Sequence, residues 1–101
     1  MSFKVVERGN VTLIEIGGRL IVGNRQSLKE QVLKQLERGD RQFVVDFSGT
    51  EYIDSSGLGV LVTLSKKIRE QGGELSLASL SEDLRTLFEL TKLDTLFLFS
   101  D

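Results

Sequence analysis

Residues Phe43-Val44-Val45-Asp46-Phe47, then Ser48-Gly49-Thr50-Glu51-Tyr52-Ile53, then Asp54-Ser55-Ser56-Gly57-Leu58-Gly59-Val60-Leu61, decide the fold of this chain. The run from Gln42 to Phe47 has almost no polar interruption. That is the pattern of a central strand covered on both faces. Ser48 to Ile53 reads as a short turn. Asp54-Ser55-Ser56-Gly57 then forms a corner that opens a helix expected to run from about Ser55 to Glu70. A helix start exposes unpaired backbone N–H groups and partial positive charge. Two hydroxyls at such a corner sit where an added phosphate is electrostatically favoured.

Outward from this core the chain alternates strands and helices. Phe3 to Glu7 and Val11 to Ile16 read as two strands of a hairpin around the turn Arg8-Gly9-Asn10. Gly17-Gly18 is expected to break the second strand, with Leu20-Ile21-Val22 a brief further one. Asn24 to Arg38 reads as a helix: Asn24 is placed to cap it, Leu28, Val32 and Leu36 recur on one face, and Gly39 ends it. Gln71-Gly72-Gly73 stops the second helix. Glu74 to Ala78 alternates as a strand, and Ser81 caps a third helix with Glu82 and Asp83 in its first turn. Leu93 to Phe99 is read as core closure, a last turn plus an extended segment, with an exposed apolar patch for a partner as the alternative. Alternation from Asn24 onward predicts parallel pairing through right-handed crossovers. The expectation is one α/β domain over residues 1–101, a mixed sheet of four to five strands.

Composition narrows the function. The chain has 101 residues, 40% hydrophobic and 28% charged, an ordinary balance for one small globular domain. Thirteen Lys plus Arg stand against 15 Asp plus Glu, a net charge of -2. No basic field is available for a run of phosphates, so nucleic acid is not an expected partner. No apolar run approaches membrane-spanning length and the N-terminus carries charges throughout, so neither membrane nor signal peptide is expected, and the cytoplasm is the default. Cysteine and histidine are absent. That removes disulfides, thiol nucleophiles, the usual zinc ligands and the commonest general base.

At the corner itself, the structural role for Ser55 or Ser56 is to cap the helix. Asp54 can do this instead and leave a serine free. Gly57 and Gly59 each weaken a helix by about 1 kcal/mol against alanine, and slimness of the first turn for a neighbouring chain is a reason to keep both. The corner also lies at the carboxyl end of a core strand, where open α/β sheets place their sites. A nucleophilic serine would need a base and an oxyanion hole, and the glycine-serine-glycine elbow is not met. No GxGxxG or GxxxxGK[ST] cradle exists, so no catalysis and no cofactor are expected. Asp46, Glu51 and Asp54 read as solvated or capping carboxylates and not as a metal cluster.

The run from Val44 through Ile53-Asp54-Ser55-Ser56-Gly57-Leu58-Gly59-Val60-Leu61 resembles the STAS domain of bacterial anti-sigma factor antagonists. Gly18-Arg19-Leu20, Gly72-Gly73-Glu74-Leu75 and Leu87-Phe88-Glu89-Leu90-Thr91-Lys92-Leu93 agree with flanking pieces of that family. The resemblance implies a STAS-like mixed sheet with helices packed mainly on one face. It also implies partner switching: the unmodified antagonist binds an anti-sigma factor that is a serine kinase, and a sigma factor is freed. The serine right after the motif aspartate, here Ser55, would be phosphorylated, and a serine phosphatase would restore binding. Many members carry an acidic residue where this chain has Ile21. The expected partner surface is Asp54, Ser55, Ser56, Gly57 and Leu58, flanked by Gly23, Asn24 and Arg25. The alternative is a non-catalytic STAS scaffold in a signalling or lipid-transport assembly, with Ser55 only a cap and contact.

Overall fold

The computed structural model describes residues 2–21 and 23–100. Strands β1 (Ser2–Arg8) and β2 (Val11–Leu20) form the opening hairpin, and helix α1 (Arg25–Glu37), strand β3 (Gln42–Ile53), helix α2 (Ser55–Glu70), strand β4 (Glu74–Ala78) and helix α3 (Glu82–Leu90) follow. A 3-10 turn, Leu93–Thr95, leads into the short strand β5 (Leu98–Ser100). The sheet runs β1-β2-β3-β4-β5, antiparallel only between β1 and β2. Strand order thus steps in one direction along the sheet. Parallel crossovers of a single hand then put every helix on the same face.

The register bears this out. Val5, Ile14, Val45, Leu77 and Phe99 lie side by side across all five strands. Ile14, Val45 and Leu77 in that row are fully buried. Leu28 and Val32 of α1, Leu61, Leu64 and Ile68 of α2, and Leu84 and Phe88 of α3 close over it. Phe88 meets Phe97 and Phe99 edge-on, at centroid distances of 5.7 and 6.1 Å, so the C-terminal segment does seal the core. Its alternate residues, Leu96 and Leu98, remain exposed. The next row, Val6, Leu13, Val44, Ser76 and Leu98, faces the other way and is only partly covered.

Three local expectations are corrected. Gly17-Gly18 does not break β2, which continues to Leu20, so Leu20 closes the second strand and starts no third; Val22 lies outside the described residues. Nor is Ser48 to Ile53 a turn. It extends β3, with register shifts against β2 between Glu15 and Gly17 and between Gly18 and Arg19. At each shift β3 contributes one residue more than β2, so the strand bulges and twists. Gly18, at the second shift, has φ 87°, a backbone conformation that favours glycine. Thr50 is held in the bulged stretch by its Oγ1, which donates to the Ile16 carbonyl at 2.8 Å. Third, Asn24 does not cap α1 through its side chain.

Gly73 marks where α2 hands over to β4. A Cβ there would collide with the Arg41 carbonyl and come within 2.9 Å of Ile68 Cγ2. The Arg41 carbonyl is fixed because it accepts from Glu74 N at 2.9 Å. Gly73→Ala is therefore expected to destabilise the fold by about 1–3 kcal/mol, the usual cost of overpacking. Urea unfolding should show a lower midpoint at unchanged slope.

Candidate functional site

In a parallel sheet all carboxyl ends point one way, so the starts of α1, α2 and α3 gather at one end of the molecule. The end of β2 is the common anchor. Asp54 N donates to the Leu20 carbonyl at 3.1 Å, tying the start of α2 to it. Asn24 does the same for α1: its Oδ1 accepts from Ile21 N at 2.9 Å and its Nδ2 donates to the Arg19 carbonyl at 2.8 Å. The asparagine expected as a cap thus spends its amide on the preceding loop.

Asp54 caps α2. Its backbone is extended, and its Oδ1 accepts from Gly57 N at 2.8 Å. With an aspartate in that role neither serine is needed for it. Among the described residues the Ser55 and Ser56 hydroxyls have no hydrogen-bond partner. Ser55 is exposed, and Ser56 is half-buried. The outcome is a free hydroxyl on the first turn of a 16-residue helix whose N-terminal dipole points at it.

The two glycines of the corner separate sharply. A Cβ on Gly57 would lie 2.6 Å from the Leu20 carbonyl oxygen and 2.8 Å from Ile53 Cγ2. The neighbour that demands a slim first turn there is the chain itself. Gly59 is exposed, and a Cβ on it would meet nothing within 4 Å. Leu58 is 7% exposed and belongs to the core. Gly57 and Leu58, expected at the centre of a partner surface, are therefore turned inward and shape the corner from beneath. Gly23 and Arg25 are exposed, and Asn24 and Asp54 are half-buried, beside Ser55 and Ser56.

Sequence reading missed two features next to this corner. Arg19 and Tyr52, paired in register, form an exposed cation–π contact with the guanidinium carbon 5.3 Å from the ring centroid. Lys29 stands four residues after Arg25, and the two share a groove between α1 and α2. The i, i+4 spacing was a usable signal for that pair. Asp46, by contrast, is occupied locally: its Oδ1 accepts from Ser48 N at 2.9 Å. Glu51 is exposed on the bulged stretch.

A family model for the STAS domain matches residues 2–101. The chain belongs to the STAS domain family. It is 35% identical over 93 residues to the anti-sigma-B factor antagonist of Bacillus subtilis, covering 92% of this chain and 84% of that protein. A candidate anti-sigma factor antagonist of Thermotoga maritima superposes with a TM-score of 0.92 at 29% identity, covering 98% of this chain and 86% of that one. The unphosphorylated form of SpoIIAA, an anti-sigma factor antagonist, superposes at 0.79, covering 99% of this chain and 88% of that one. At 17% identity this last likeness speaks for the STAS fold alone. Among the described residues no helix is long and apolar enough to cross a membrane.

The division of labour at the STAS corner is measurable. Asp54→Ala removes the cap and should lower stability by about 1 kcal/mol. Ser55→Ala removes an unengaged surface hydroxyl and should stay within about 0.5 kcal/mol of the parent. Parallel urea titrations of the two variants check the order.

Proposed function

We propose that this chain is an anti-sigma factor antagonist that works by partner switching, with Ser55 as the phosphorylated toggle. The observation that carries the reading is the exposed Ser55 hydroxyl, left without a structural task because Asp54 caps the helix. The relative from Bacillus subtilis, itself an anti-sigma-B factor antagonist, supports the same role. In this reading the unmodified chain docks on an anti-sigma factor that is also a serine kinase, through Ser55, Ser56 and Asp54 with Gly23, Asn24 and Arg25 alongside. Sigma factor is released as a consequence. A serine phosphatase resets the chain, and the exchange takes place in the cytoplasm. The chain itself performs no catalysis.

The chemistry suits a toggle. A phosphoserine carries nearly two negative charges. At a helix N-terminus the fold tolerates them, since free N–H groups and the dipole favour an anion. In an interface the same charges must be desolvated against groups arranged around a neutral hydroxyl. A penalty of a few kcal/mol shifts affinity by two to three orders of magnitude.

The test uses the serine-kinase-type anti-sigma factor encoded in the same genome, with ATP. Intact mass should show a single added phosphate on the parent and none on Ser55→Ala. Ser55→Asp should bind that protein two to three orders of magnitude more weakly than Ser55→Ala. Equal binding of both variants, with no phosphate added to the parent, would instead support a STAS scaffold.

A further inference from the structure

Gly59 has no explanation inside the fold. It lies in the second turn of α2, its φ is not in the left-handed region, it is exposed, and a Cβ would meet no atom within 4 Å. Alanine at such a position strengthens a helix. A bare backbone kept where the chain's own packing does not ask for it implies that something outside the chain approaches it. Ser55 and Gly59 are related as i, i+4, so both lie on one exposed stripe of α2.

Gly59 also lines a groove. Together with Val60 and Thr63 of α2 and Arg25, Gln26 and Lys29 of α1 it encloses about 350 Å³. The groove contains two cations and no carboxylate, on a chain whose net charge is -2. Among the described residues the side chains of Arg25 and Lys29 make no ion pair or hydrogen bond; the Arg25 backbone N–H donates to the Ile21 carbonyl. Two unpaired cations flanking a bare stretch of helix are complementary to an acidic segment.

We infer that the α1–α2 groove receives an acidic segment of a partner protein, seated against the backbone at Gly59 and held by Arg25 and Lys29. The inference rests on the reading of Ser55 as a docking hydroxyl and gives the partner's chemistry. It also explains why a phosphate would act strongly here. A near-dianion one turn from Gly59 repels incoming carboxylates.

Two measurements test this without any anti-sigma factor, so their failure is distinct from failure of the Ser55 reading. The first is thermal unfolding of Gly59→Ala. The melting temperature should stay equal or rise, and a clear fall would show an internal need for glycine and overturn the inference. The second is a titration of the ¹⁵N-labelled chain with an alanine-based helical peptide carrying glutamates at i, i+4 spacing, against a matched lysine peptide. The glutamate peptide should move the amides of Arg25, Lys29, Gly59 and Thr63, and the lysine peptide should not. Affinity should fall at least tenfold in the Arg25→Glu, Lys29→Glu double variant, and also in Gly59→Ala and Ser55→Asp. No shifts at millimolar peptide, a preference for lysine, or binding indifferent to these substitutions would each overturn it.

Discussion

The first turn of α2 lies on the carboxyl end of β2, and that close approach governs the arrangement around it. Gly57 is within reach of the Leu20 carbonyl and Ile53, where any side chain would collide. The Asp54 amide is bonded to the same Leu20 carbonyl. With the backbone pinned on its inner side, Asp54 is left to satisfy the helix amides, and its carboxylate reaches Gly57 N. Ser55 is then turned outward by the helical period alone. The exposed hydroxyl follows from packing behind it and needs no interaction of its own.

The same contact explains the irregular end of the sheet. Between Phe47 and Ile53 strand β3 carries more residues than the stretch of β2 beside it. A straight ladder would deliver Asp54 at a different height along β2, whereas the first slip reverses side-chain direction and the second restores it, so that Ile53 faces the core as Phe47 does. The two bulges set the corner against Leu20. Their cost is offset in part by the buried Thr50 hydroxyl, which donates to the Ile16 carbonyl. Asn24 adds a second tether on the same strand end, which brings α1 beside α2 and creates the groove.

Most of this architecture was legible in the sequence because hydrophobic period and glycine position carry it. The α2 limits, the Ser81 cap, the parallel core and the candidate serine all follow from local pattern. The bulged end of β3 did not. Ser48-Gly49-Thr50 has turn composition, and only pairing with β2 across the sheet keeps it extended. Asn24 misled for a related reason: its side chain has a better set of partners in the loop behind it than in the helix ahead. Gly57 and Gly59 look equivalent in sequence, yet one is fixed by a carbonyl oxygen 2.6 Å from its Cβ position and the other faces open space. Such distinctions depend on atoms distant in the chain, and no local rule supplies them.

The proposed surface toggle also suits a domain of this size. Small domains are stable by about 5–15 kcal/mol. Driving a conformational equilibrium from one state almost wholly to another takes about 5.5 kcal/mol, which reaches the lower end of that margin. A charge placed at a docking surface needs only a few kcal/mol of differential interaction to change affinity by orders of magnitude. On the proposed reading the corner meets this demand: the Ser55 hydroxyl is exposed and not needed as a cap, and the helix dipole favours an anion there in the free chain.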